Sequence, residues 1–157
     1  MKKWITAFTI AAVTAFALPN DEVQLAMLSK MAQKKAIVLA TMNLEGKKKE
    51  AFGTLYDEFQ EKINDILAKR LNIIVEYAKN YKQLDDAKAQ KLIDEWFKTE
   101  EDAIALKRAY VKKFKKIMST AEVIRFLQVE NRFEILRQAE ISELVPLAQA
   151  PRTLPSK

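Results

Sequence analysis

The chain has 157 residues, 27 lysines and arginines against 21 acids, a formal charge of +6, and neither cysteine nor histidine. Those two absences exclude a disulfide scaffold, Cys/His metal sets, Cys or His catalytic dyads and the Glu-x-x-His pairs of helical di-iron sites. Two glycines and four prolines leave too few turn residues for a hairpin-rich β fold, so the composition points to an all-α chain of long helices.

The first residues read as a signal peptide. Lys2 and Lys3 form a basic n-region, Trp4 to Phe16 a nearly unbroken apolar run, and Ala15-Phe16-Ala17 a small-x-small cleavage pattern. The apolar run falls short of the 18 or more residues of a spanning helix, and the polar Asn20-Asp21-Glu22 follows at once. The expectation is export to the periplasm with cleavage near Ala17; the alternative is retention of the segment as an uncleaved anchor. The domain reading is residues 1–17 as signal peptide, 18–148 as one helical domain and 149–157 as a flexible tail. Without Lys2 and Lys3 the charge is +4, a moderate excess that serves solubility.

Four helices are expected. Asn20 caps the first, whose stripe is Leu25, Leu28, Ala32, Ala36 and Leu39, and Gly46 punctuates its end. The second starts near Lys47 and carries Phe52, Tyr56, Phe59, Ile63, Ile66, Ile74, Tyr77 and Tyr81 at helical spacing, ending by Leu84. Asp85 caps the third, about Asp86 to Met118, with Leu92, Trp96, Ala103, Leu106, Tyr110, Phe114 and Ile117 on its apolar face. Acids fill its middle and bases its last turns, which complements the helix dipole. Ser119-Thr120-Ala121-Glu122 is a capping box opening the fourth helix. Its buried side is Val123, Phe126, Val129, Phe133, Leu136 and Leu144, and Pro146 stops it. Two helices near 30 residues reach roughly 45 Å, which suggests an elongated hairpin or cradle rather than a compact bundle.

Two segments carry a resemblance. Met42-Asn43-Leu44, Ala51-Phe52 and Leu55-Tyr56-Asp57-Glu58-Phe59-Gln60 are similar to the "NL…AFWPLYDEYQ" opening of a family of small exported proteobacterial all-helical proteins. Arg125-Phe126-Leu127-Gln128-Val129-Glu130-Asn131-Arg132, Glu140-Ile141 and Val145-Pro146-Leu147 resemble that family's "RYLQIENK…EIPLV" ending, and Tyr110-Val111-Lys112-Lys113 is similar to the stretch just before it. The family in turn resembles the Spy/CpxP group of periplasmic stress proteins, helical cradle-shaped dimers with two LTxxQ motifs. Leu44-Glu45-Gly46-Lys47-Lys48 stands at the place of one motif without its Thr or Gln. Met118-Ser119-Thr120-Ala121-Glu122 stands at the other and keeps a hydroxyl cap and an acid. The resemblance implies a periplasmic, ATP-independent protein-binding role and a homodimer.

Candidate sites follow from the residues. No motif activates Ser29, Ser119, Ser142 or Ser156 as a nucleophile, so no catalytic residue, no enzyme activity and no cofactor are expected. The acid runs Asp85-Asp86, Asp94-Glu95 and Glu100-Glu101-Asp102 read as solvated helix faces, so no metal site is expected. The basic cluster Lys107, Arg108, Lys112, Lys113, Lys115 and Lys116 is the candidate client-binding surface, although a charged last turn also satisfies the dipole. Trp96 and Phe97 are adjacent and cannot both point inward, so one is expected to line a client or dimer surface. The basic residues lack the interleaved aromatics of a nucleic-acid module, so no nucleic-acid partner is expected. The partners expected are unfolded or envelope proteins and a second copy, with weak contact to an anionic membrane surface. The alternative function is a structural or regulatory adaptor docking one specific envelope protein.

Overall fold

The computed structural model describes residues 20–143, 145 and 147, with side chains from Lys30 onward. The signal-peptide reading (1–17), the tail (149–157), Leu144, Pro146 and the side chains of Leu25 and Leu28 lie outside the described residues. These residues form four α-helices and no strand: α1 Asn20–Met42, α2 Gly46–Asn80, α3 Asp86–Phe114 and α4 Thr120–Ser142. No helix among them is long and apolar enough to cross a membrane. The chain divides into two compact units, one ending at Ala40 and the other beginning at Thr41.

In the first unit Val38 is fully buried, while Ala32 and Ala36 of the expected stripe are exposed. A methyl side chain offers little area to bury, and the larger Val38 takes the inward position instead.

The second unit begins with the end of α1. Asn43, at φ 50°, is the left-handed residue that ends this helix, where the sequence suggested Gly46. Gly46 also has positive φ (53°) but opens α2, so the short link contains two left-handed residues. Asn tolerates that region through its short polar side chain, and glycine has no Cβ to clash. Met42 and Leu44 on either side of Asn43 are buried.

α2 and α3 form an antiparallel hairpin: Phe52 meets Phe114, Phe59 meets Tyr110, and Arg70 meets Thr99. α4 runs parallel to α2, since Lys48 pairs with Glu122, Tyr56 with Glu130 and Arg70 with Glu134. Asp85 caps α3 by accepting from the Lys88 N–H (2.8 Å). α3 ends at Phe114 rather than Met118, and Lys115 to Met118 make a tight turn through Ile117 N–H to Phe114 O (3.0 Å). The capping box then opens α4: Ser119 Oγ accepts from Glu122 N–H (3.2 Å) and Glu122 Oε2 accepts from Ser119 N–H (2.7 Å). The Ser119 amide, and after it Lys48, hold the Glu122 carboxyl below its usual range.

The core of this unit is an aromatic cluster near the α3–α4 turn. Phe52, Tyr56, Phe59, Tyr110, Phe114 and Phe126 are all buried, with neighbouring ring centroids 4.5 to 6.4 Å apart. Each such pair contributes about 0.5–1.5 kcal/mol beyond the area it buries. Three helices supply the rings, so the cluster fixes all three against one another. Leu136 departs from the expected α4 stripe and is 62 % exposed. Beyond Val129 the face turned to the hairpin becomes Glu130, Glu134, Arg137 and Ile141, because Arg70 holds Glu134.

Candidate functional site

Away from the aromatic cluster the three helices border an open cleft of about 890 Å³. α2 contributes Arg70, Ile73, Ile74 and Tyr77; α3 contributes Ala89, Leu92, Ile93, Trp96, Phe97 and Glu100; α4 contributes Arg137, Gln138, Ile141 and Ser142. Leu84, Val145 and Leu147 complete the lining. The size is that of ligand pockets, about 300–1,000 Å³.

Arg70 forms the charged end of this cleft. It is 6 % exposed, its guanidinium lies 5.0 Å over the Trp96 ring, and its Nε donates to Thr99 Oγ1 at 3.3 Å. Its Nη1 donates to Glu134 Oε1 (3.4 Å), and Glu134 is also bound by Arg137 and Gln138. Burial alone would raise the Glu134 carboxyl. The hydrogen bond and charge of Arg137, the Gln138 amide and the charge of Lys107 outweigh burial and hold it below its usual range. Thr99 Oγ1 donates in turn to Trp96 O (2.7 Å), so the group is organised by hydrogen bonds among three helices.

Trp96 and Phe97 both line the cleft: Trp96 is half-buried beneath Arg70, and Phe97 stands at the mouth, 58 % exposed. The basic residues do not form one patch with them. Lys107 is half-buried, and Lys113 pairs with Glu58 (3.4 Å) and covers the Tyr110 ring (4.4 Å). Arg108, Lys112, Lys115 and Lys116 are exposed around the end of α3.

A second feature runs along α3. Ile93 (47 % exposed), Phe97 and Ile104 (53 %) continue into Arg108 and Lys115 at spacings of four, seven, four and seven. At 3.6 residues per turn these positions share one face and span roughly 33 Å. The strip carries its apolar side chains toward the cleft end, with Glu100 and Glu101 between Phe97 and Ile104, and is cationic at the other end.

Sequence reasoning missed Arg70, Thr99, Glu134 and Arg137. One signal was present: Arg70 stands seven residues after Ile63 and seven before Tyr77, a charged side chain inside an apolar stripe. The acid runs of α3 do not converge, and among the described residues no three acids gather where a metal ion would sit. No family model, curated protein or solved structure matches the chain.

Proposed function

We propose that the chain is a non-enzymatic protein-binding factor of the periplasm, acting like the Spy/CpxP proteins it resembles, without ATP. The observation that supports this reading is the α3 strip, where Ile93, Phe97 and Ile104 remain exposed in line with Arg108 and Lys115. Such a row of large apolar side chains on one helix face marks an interaction surface. The cationic end attracts acidic segments over a Debye length of about 8 Å at physiological salt. The apolar end then retains them. Covering the remaining half of three large side chains is worth about 2–4 kcal/mol before ordering costs, which gives transient rather than tight binding. Capture is fast, release is unaided, and the client leaves free to refold.

The test is suppression of aggregation by residues 18–157 on several unrelated, thermally denatured proteins. Protection that weakens with added salt and is lost in Phe97→Asp or Ile104→Asp supports the reading. No protection at several-fold excess overturns it, and a single stoichiometric partner crosslinked from envelope extract replaces it with the adaptor. The homodimer belongs to the same proposal and is read by sedimentation velocity at micromolar concentration, where a monomer alone would remove it.

A further inference from the structure

The cleft has a direction, and its direction carries chemistry that the strip does not use. α3 runs antiparallel to α2 and α4 runs parallel to it, so Arg70, Glu100 and Arg137 gather at one end. Toward the other end lie Ile73, Ile74, Tyr77, Ile93 and Ile141. From Glu100 to Ala89 the trough measures roughly 16 Å at the helical rise. We infer that it is a binding site for a single-chain anionic amphiphile, a carboxylate or phosphate head on one acyl tail.

The head position is set by Arg70. Its side chain is 7 % exposed, and two of its nitrogens are occupied by Thr99 and Glu134. Among the described residues the third, Nη2, has only the Glu100 carboxylate, 3.9 Å away, which is too long for a hydrogen bond. The Glu100 side chain is 44 % exposed and has room to swing into solvent. An anionic head then takes its place against Arg70. With Glu100 swung away, Arg70 and Arg137 face one carboxylate, Glu134, so an anion is favoured over a cation or a neutral group. Unmet donors on a buried guanidinium gain most from such a partner.

The walls select the tail. Apart from Leu84, Val145 and Leu147 they are helices, whose backbone groups are bonded within each helix and offer no edge to an extended peptide. The hydroxyl of Ser142 is likewise occupied, donating to Ala139 O (2.9 Å). An amphipathic helix would carry its polar groups along its length, whereas this trough is charged at one end alone. An acyl chain needs no hydrogen bonds and gains from each methylene covered.

The test is titration of the Trp4→Phe chain, whose emission comes from Trp96, with palmitate, lysophosphatidylglycerol, hexadecanol and dodecyltrimethylammonium, below micelle formation, read by that emission and by calorimetry. Saturable one-to-one binding of either anionic compound, at least about tenfold tighter than the alcohol, is expected from one charged hydrogen bond. Preference for palmitate assigns a free fatty acid, and preference for the lysolipid assigns a phospholipid. Arg70→Gln weakens binding by about tenfold, and Glu100→Gln, which leaves the fold intact, tightens it several-fold by removing the competing carboxylate. Equal affinity for anionic, neutral and cationic compounds overturns the inference. So does an unchanged affinity in Glu100→Gln, which decides the matter if Arg70→Gln unfolds. The holdase assay is independent: the strip variant Ile104→Asp removes protection and leaves amphiphile binding unchanged.

Discussion

Two buried tyrosines make opposite predictions for the same change of one oxygen atom. Tyr56 is buried on α2 and its hydroxyl donates to Glu130 Oε1 at 3.1 Å. Burial, and then the Glu130 charge, push this phenol far above its usual range, so it remains a donor at every working pH. Tyr110 is equally buried on α3, but its hydroxyl has no hydrogen-bond partner among the described residues. Removing a bond to an ionised acceptor costs about 1.5–3 kcal/mol. The Tyr56 bond is longer than the 2.5–2.7 Å of a strong O–H···O⁻ pair, and Gln60 also reaches Glu130 (3.4 Å), so the low end applies, about 1.5 kcal/mol. Removing the orphaned Tyr110 hydroxyl recovers a desolvation penalty of about 1 kcal/mol. The variants Tyr56→Phe and Tyr110→Phe are therefore separated by about 2.5 kcal/mol, with the parent between them. At a urea m-value of about 2 kcal/mol/M, the midpoints differ by roughly 1.2 M. Urea unfolding followed by circular dichroism reads this directly. If Tyr110→Phe destabilises as much as Tyr56→Phe, the hydroxyl has a partner in solution and the reasoning fails.

The two glycines give a second pair. Gly46→Ala places a Cβ at φ 53° and costs about 1 kcal/mol, whereas Gly53, inside α2 with open space around its Cα, gains about 0.5–1 kcal/mol on changing to Ala. Thermal melts of both variants check the opposite signs. Phe126→Ala removes the ring that touches Phe52, Tyr56, Phe59 and Phe114, and costs about 3–5 kcal/mol; near-ultraviolet circular dichroism and the urea midpoint report it. The Glu134 carboxyl is depressed in the folded chain, so its contribution is present above its ordinary value of 4.5 and is lost as pH falls through the lower folded value. Between pH 5 and 3 the urea midpoint should fall less in Glu134→Gln than in the parent, and an equal fall would remove Glu134 from the account.

Much of the fold is legible in residue order because its determinants are local. Asp85 and Ser119-Glu122 carry their caps within three residues, so both helix starts can be read directly. The aromatic stripe of α2 identifies its buried face for the same reason, down to Phe52, Tyr56 and Phe59. The end of α1 is not legible in the same way. Asn43 and Gly46 both accept a left-handed backbone, and the packing of Met42 and Leu44 decides which one ends the helix. Leu136 is misread because the α4 face is turned by Arg70, a residue 66 positions earlier in the chain, through Glu134. The cleft itself has no motif at all. It is lined by residues of three helices far apart in the chain, and only Arg70 within its apolar stripe betrays it in the sequence.

The rings of the aromatic cluster gather near the α3–α4 turn, and the cleft lies toward the α2–α3 loop. Opening free energy is therefore graded along the hairpin. Amides from Leu84 to Leu92 are expected to exchange with solvent through local fraying, and those from Phe52 to Phe59 only when the whole unit unfolds, which hydrogen exchange read by mass spectrometry checks. One end of this unit can breathe around whatever occupies it while the other keeps the three helices registered. Occupancy of the cleft would appear first as slowed exchange in that loop and its flanking turns, well before it moves the global melting temperature.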